Sequence, residues 1–334
     1  MVADRRTPPQ GGLPPTAGLA GVVEIACDES GFSGTNLLDA ATPVFAHASV
    51  DLRPDEAADL VAGLRSGFRR SDEVKSGRFL RGAHVDEGLA WLLDALSGRA
   101  HVHLIDKQHF VASRVVDLFL AEPTYAAGTS LAEGSGVSAL ALYRAGREVG
   151  PRWDRFLQAF VALVRTKRRR QPSRGAVQQF IQARDDLAGS GPGAEAEHVL
   201  AAIDPAHVWD VLTRLAQRDP SIPPPLEPLL PALAETVLFW SGVHRQVLVI
   251  HDEQSALTPG RLQRLQQVLA QGREVSPLAG LVSVDSRDDP RVQVADLLAG
   301  VARRSAGRTC MITGGGQRPD AAAGHGYTTW NSIR

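Results

Sequence analysis

Apolar residues follow two rhythms along this chain. Short continuous apolar runs, bounded by Gly, Pro and polar clusters, have the pattern of buried strands. They fall at 22–27 (Val22-Val23-Glu24-Ile25-Ala26-Cys27), 43–50, 100–106, 246–251 and 281–285. The first two are predicted to be antiparallel neighbours. Between them lie stretches with apolar residues three and four apart, the spacing of one helix face. Helices are expected at 54–68, 86–97, 108–120, 229–244, 260–271 and 291–305. Pro54-Asp55-Glu56 has the chemistry of a first helical turn: a fixed φ, then acids near the positive end of the dipole.

The segment 123–227 is different. It shows helical spacing near 152–167, 174–187, 193–202 and 206–217, contains no convincing strand, and closes on the stiff run Pro223-Pro224-Pro225. Strands outside, helices between them and a helical stretch within predict one α/β domain with one sheet. Its two parts are 21–122 and 228–306, interrupted by a large all-helical insertion at 123–227. Residues 1–20 read as a disordered Pro/Gly leader and 307–334 as a flexible tail.

Composition narrows the function classes. With 334 residues, 43% apolar and 22% charged, the chain can bury a large core. A net charge of −1 provides no global attraction to nucleic acid or acidic membranes. No run approaches the ~18 apolar residues of a membrane span. The two cysteines, Cys27 and Cys310, lie far apart, which excludes a disulfide framework. Prolines at 8, 9, 14 and 15 break up any signal-peptide pattern. A cytoplasmic protein with no membrane partner is expected. Only three of the 36 basic residues are lysines: Lys75, Lys107 and Lys167.

Acids interrupt apolar runs at three places. The first strand runs into Asp28-Glu29-Ser30-Gly31, the fourth into His251-Asp252-Glu253, and Asp296 sits inside Val294-Ala295-Asp296-Leu297-Leu298. Charges in such settings need a partner or a cation. Convergent carboxylates suit Mg²⁺ or Mn²⁺, hard ions that take oxygen ligands. Two such ions about 4 Å apart activate a water and stabilise the leaving oxygen in phosphodiester hydrolysis. The plainer alternative is that these acids are turn formers or helix caps.

The same residues carry a resemblance. Asp28-Glu29-Ser30-Gly31 after an opening strand resembles the start of the bacterial family called domain of unknown function 3800. Val284-Asp285-Ser286-Arg287 with Val292-Gln293-Val294-Ala295-Asp296-Leu297-Leu298-Ala299-Gly300 resembles its late signature, and Glu73-Val74-Lys75-Ser76 its Glu-(Ile/Leu)-Lys element. Arg287 and Val292 depart mildly from the usual Lys and Ile. The match covers roughly 22–120 and 229–303. It implies a ribonuclease-H-like mixed sheet flanked by helices, with metal-binding carboxylates on the first strand, a later strand and a late helix. Carried over residue by residue, these are Asp28, Asp252 and Asp296. Asp285 and Glu253 compete with Asp252. Glu73 or Glu29 would complete the shell or position water, Lys75 would contact the scissile phosphate, and Ser30, Ser286 and Gln293 would support substrate or ligands. A phage-defence setting follows by analogy with the family.

One local charge feature bears on partners. Between Arg144 and Arg174 ten bases face two acids, and Arg165, Lys167, Arg168, Arg169 and Arg170 end an amphipathic helix. Such a patch holds nucleic-acid phosphates without reading sequence, or is simply a solvated face. His101 and His103 share one strand face without an obvious third metal ligand. His251 points away from Asp252's face, as a structural or proton-transfer group. Ser30 lacks a nucleophile elbow, and Gly314-Gly315-Gly316 lacks the Walker ending. The expected activity is a Mg²⁺- or Mn²⁺-dependent nuclease or phosphodiesterase. The alternative is a non-catalytic nucleic-acid- or protein-binding module, with a homodimer or partner engaged through the helical segment.

Overall fold

Val22–Ser30 (β1) is the centre of a mixed sheet. Val44–Val50 (β2) pairs with it antiparallel, as the sequence predicts, and Ala100–Asp106 (β3) pairs antiparallel with β2. On the other side Gln246–Asp252 (β4) and Leu278–Val284 (β5) run parallel to β1. A three-residue strand, Thr328–Trp330 (β6), pairs antiparallel with the outer edge of β3. The computed structural model describes residues 21–34, 37–67, 85–131, 135–165, 171–242, 245–312 and 328–330. The proposed leader at 1–20 lies outside them.

Helices cover both faces. Pro54–Gly67 (α1), Val85–Ala95 (α2) and Pro290–Ile312 (α12) close one face over Ala26, Ala46, Ala48, Val102, Ile250 and Val282. Lys107–Phe119 (α3), Leu229–Ser241 (α10) and Pro259–Leu269 (α11) close the other over Ile25, Cys27, Phe45, Ile105 and Val249. The period-two alternation along each strand supplies both sets. Asp106 ends β3 and starts α3 in one step: its Oδ1 accepts from the amides of Gln108 and His109, both at 3.0 Å.

Between α3 and α10 the described residues contain helices and no strand: Tyr125–Gly128 (α4), Ser135–Glu148 (α5), Pro151–Val164 (α6), Arg174–Ala188 (α7), Ala194–Ala201 (α8) and Pro205–Ala216 (α9). They gather round Phe119, Trp153, Phe156, Phe160 and Phe180, whose rings contact one another edge-on, tilted or stacked. Helix α5 is absent from the pattern reading, because Gly136 and Gly146 dilute its apolar stripe. Gly146 has a packing reason: a Cβ there would sit 2.3 Å from the Trp153 ring.

Several boundaries differ from the sequence expectation, three of them near the site or at the end of α12. Strand β1 continues through Asp28, Glu29 and Ser30, because these residues pair with Ala48, His47 and Ala46 of β2. Strand β5 begins at Leu278 rather than 281, because Leu278 and Gly280 pair with Val247 and Leu248 of β4 on either side of a bulge at Ala279. Helix α12 runs to Ile312 rather than 305.

Candidate active site

The strand registers bring the ends of β1, β3, β4 and β5 and the start of β2 to one end of the sheet. Asp28, Asp252 and Asp296 belong here. Strand alternation turns Asp28 and Asp252 to the α12 side, along with Ala26 and Ile250. Helix α12 lies along β1 in the same direction: Arg291 meets Glu24 near the strand's beginning, and Arg303 meets Ser30 at its end. Asp296 falls between these contacts, which explains how a helix interior brings an acid alongside the strand and within reach of Asp28.

The electrostatics of Asp28 reflect its acidic neighbours. Asp28 is 7% exposed. Burial first, then the negative charges of Glu29 and Asp296, with Asp252 adding to them, push its carboxyl up to about 9. The Glu29 amide donates to Asp28 Oδ1 at 2.7 Å, which opposes the rise without cancelling it. Asp252 is oriented by the Ser286 amide, which donates to its Oδ1 at 3.0 Å. The two competitors for its role stand outside: Glu253 is exposed, and Asp285 turns back onto the Arg287 amide at 2.9 Å.

Glu29 lies on the other face, beneath α10, and belongs to a buried histidine row. It stands directly opposite His47 in the β1–β2 register, and His47 stands opposite His103 in the β2–β3 register. His251 Nδ1 donates to the carbonyl of Asp252 at 2.9 Å. Its Nε2 in the neutral ring is therefore an acceptor. His47 Nε2 donates to it at 3.3 Å, and His47 Nδ1 accepts from the Thr236 hydroxyl of α10 at 2.8 Å. Burial pushes both rings well below the usual imidazole range and so keeps this neutral chain of donors intact. Glu29 Oε2 ends the chain 3.6 Å from His251 Nε2. Burial, Asp252 and Glu227 push the Glu29 carboxyl up to about 8.

Ser30 accepts from Arg303 Nε at 3.0 Å. Gly31 follows with φ +106°, and a Cβ there would lie 2.5 Å from the Val44 carbonyl oxygen and 2.6 Å from Arg303 Cδ. The glycine of the Asp-Glu-Ser-Gly motif is thus required both by its backbone conformation and by the close passage of Arg303. Gln293, one turn before Asp296, accepts from Arg65 of α1 at 3.3 Å and donates to the Arg287 carbonyl at 3.4 Å.

Glu73, Lys75, Lys167, Arg168, Arg169 and Arg170 lie outside the described residues. Arg165 is exposed at the C-terminal end of α6. Sequence reasoning missed four groups at or near the site: His47, Lys107, Glu227 and Arg303. For Lys107 a signal existed, since it is one of three lysines and directly follows a strand. For Arg303, among many arginines, none did.

The donor chemistry of Asp28, Asp252 and Asp296 fits a hard divalent cation: oxygen ligands, partial burial and mutual repulsion. The side chains are not gathered as a closed ligand shell. Among the described residues no group of three His, Cys, Asp or Glu side chains is arranged to hold a metal ion. The chain matches no protein-family model, no curated protein and no solved structure. What stands is a mixed five-stranded α/β sheet, extended by a short edge strand and flanked by helices, with a carboxylate cluster at one end. Among the described residues no helix is long and apolar enough to cross a membrane.

Proposed function

We propose that the chain is a Mg²⁺- or Mn²⁺-dependent phosphodiester hydrolase acting on nucleic acid, on a ribonuclease-H-like fold with residues 123–227 as a helical insertion. One observation carries the reading: Asp28, Asp252 and Asp296 come from the first strand, the fourth strand and the last long helix to one face at one end of the sheet, where Asp28 is pushed up to about 9. That distribution is the one the family resemblance implies. Like charges collected in a part-buried place cost stability, and such a cost is retained where function requires it.

In this reading Asp28, Asp252 and Asp296 hold the metal, with Glu73 completing the set, while the carboxyl of Glu29 stays with the histidine row on the other face. When bound, the metal supplies an activated water and charge stabilisation at the scissile phosphate. The Ser286 amide and the His251 contact with the Asp252 carbonyl fix Asp252 from two sides. Glu29, beside His251, positions water or takes a proton. Lys75 contacts the phosphate, and the Arg165–Arg170 run holds the strand's backbone.

The test is cleavage of labelled single- and double-stranded DNA and RNA with Mg²⁺ or Mn²⁺. Activity that vanishes in Asp28→Ala and Asp296→Ala is expected; wild-type protein that cuts none of these substrates with either metal sinks the reading. A second reading, a non-catalytic nucleic-acid-binding module, draws on the lack of a closed ligand group among the described residues. It predicts salt-sensitive binding with no effect of Mn²⁺ on thermal stability.

A further inference from the structure

Arg303 lies on the same helix as Asp296 and has no part in the proposed metal site. It lies seven residues, two helical turns, beyond Asp296 on α12, so the two share a helix face about 10 Å apart. Its stem is fixed. Nε donates to Ser30 Oγ at 3.0 Å, and its Cδ passes over Gly31 at a distance no Cβ would allow. Among the described residues neither Nη group of the guanidinium has a hydrogen-bond partner. Among the described residues it has no carboxylate partner; burial and the positive charge of Arg304 hold its pKa below the usual value.

A second cation feels the charge of Arg303. Lys107, at the start of α3, is 1% exposed and donates from Nζ to Thr42 Oγ1 at 3.2 Å. The Thr42 hydroxyl donates onward to Asp39 Oδ2, also at 3.2 Å. The charges facing Lys107 are Asp39, which favours its ammonium, and Arg303, which opposes it. Asp39 offsets the charge of Lys107, and Arg303 adds a second positive charge to the same neighbourhood, which favours an anion beside Arg303. A guanidinium with two free nitrogens in a plane matches the paired oxygens of a phosphate.

We propose that Arg303, backed by the charge of Lys107, is a subsite for a backbone phosphate of the bound strand, displaced from the phosphate at the carboxylates by about three stacked nucleotides at ~3.4 Å each. The proposal rests on the phosphodiesterase reading for its ligand class. It adds a fixed contact that sets where the strand lies relative to the metal-binding acids.

The test measures binding of a fluorescent single-stranded oligonucleotide to the full chain in EDTA, so that no turnover intervenes. Arg303→Gln is expected to weaken binding about tenfold and to lower the slope of log affinity against log salt by about 0.7, one phosphate contact's worth. Arg303→Lys is expected to restore most of the slope. An unchanged slope and affinity in an Arg303→Gln protein that melts like wild type overturns the proposal. So does a wild-type chain that binds no oligonucleotide. If Arg303→Gln does not fold, wild-type protein is titrated with oligonucleotides carrying one neutral methylphosphonate linkage at successive positions. A single sensitive position supports the subsite, and uniform affinity overturns it. Poly-glutamate competing as well as the oligonucleotide overturns the phosphate assignment. Failure of the hydrolase reading is separable: Arg303-dependent binding without Mn²⁺-dependent cleavage sinks the hydrolase and keeps the subsite. Cleavage with unchanged KM in Arg303→Gln does the reverse.

Discussion

His251 Nε2 lies 3.6 Å from Glu29 Oε2 on one side of the sheet, while their chain neighbours Asp252 and Asp28 face the other side with Ile250 and Ala26. The tip of the sheet therefore carries carboxylates on both faces, one group beneath α12 and one beneath α10. Neighbouring residues of one strand reach two different environments because the strand period is two.

Asp28→Asn separates a structural acid from a metal ligand. Its carboxyl is raised from the ordinary value to about 9, so without metal its stabilising contribution is greatest at acid pH and is lost as pH rises toward 9. The amide variant carries no charge to lose. In EDTA at pH 8, Asp28→Asn is expected to melt at or above the wild-type temperature. In Mn²⁺ the wild type rises, by roughly 2.7 kcal/mol at a hundredfold excess over Kd, and the variant does not. Scanning calorimetry with and without Mn²⁺ checks this. A variant that melts well below wild type in EDTA gives Asp28 a structural role instead.

Lys107 makes the opposite trade. Burial first, then Arg303, lower its pKa from 10.5 to about 8, so the native chain releases this proton before the unfolded chain does. Stability from this group therefore increases as pH rises from about 8 toward 10.5, and at pH 7 its charge is a burden. Lys107→Met is expected to raise the melting temperature at pH 7 by a few degrees, with ~1 kcal/mol worth about 2–4 °C in a domain this large. The gain shrinks at pH 10, and oligonucleotide binding weakens. A lower melting temperature at pH 7 contradicts it.

The helical region is anchored through Arg114 and Asp117, which are each 3% exposed and pair at 2.6 Å on one face of α3. Arg114 also donates to the carbonyls of Gly128 and Ala127 at the end of α4. Asp117→Ala leaves that guanidinium charge buried and is expected to cost about 3–5 kcal/mol. The double variant Arg114→Met/Asp117→Leu is expected to recover much of the loss, since neither charge then remains to be desolvated. Urea denaturation of both variants decides it; equal losses refute the pairing argument.

His101 and His103 make the fold acid-sensitive. Burial lowers them to about 4 and about 3, with the charge of His101 adding to the shift of His103. Above the unfolded value near 6.5 both states are neutral and nothing is lost. As pH falls from 6.5 toward 3 the unfolded chain takes up protons first, and stability declines. His101 stacks on Phe239 with ring centroids 3.9 Å apart, so His101→Phe keeps a flat ring in that place. The variant is expected to show a shallower fall in melting temperature between pH 6.5 and 4. An identical pH profile refutes the assignment.

Much of this fold was legible in the sequence because its signals are local. The five main strands were recognisable as apolar runs between turn residues, and the antiparallel pairing of β1 and β2 followed from their succession along the chain. So were the acids at Asp28, Asp252 and Asp296, since a charge within an apolar run needs only its neighbours to be noticed. Helix α5 escaped because Gly136 and Gly146 weaken its stripe, and only Trp153, packed from α6, explains the second of them.

The remainder depends on register and packing, which no local pattern encodes. That Glu29 faces His47, and that His47 meets His251 and Thr236 from 204 and 189 residues away, follows from strand pairing and from the seat of α10. Arg303 gained meaning only when α12 lay down along β1 and carried it to Ser30. Local sequence sets which residues are apolar, which acids stand among them and which segments turn. The tertiary structure decided which of those acids share a face and which cation stands beside them, because long-range proximity is set by the sheet's order and not by distance along the chain.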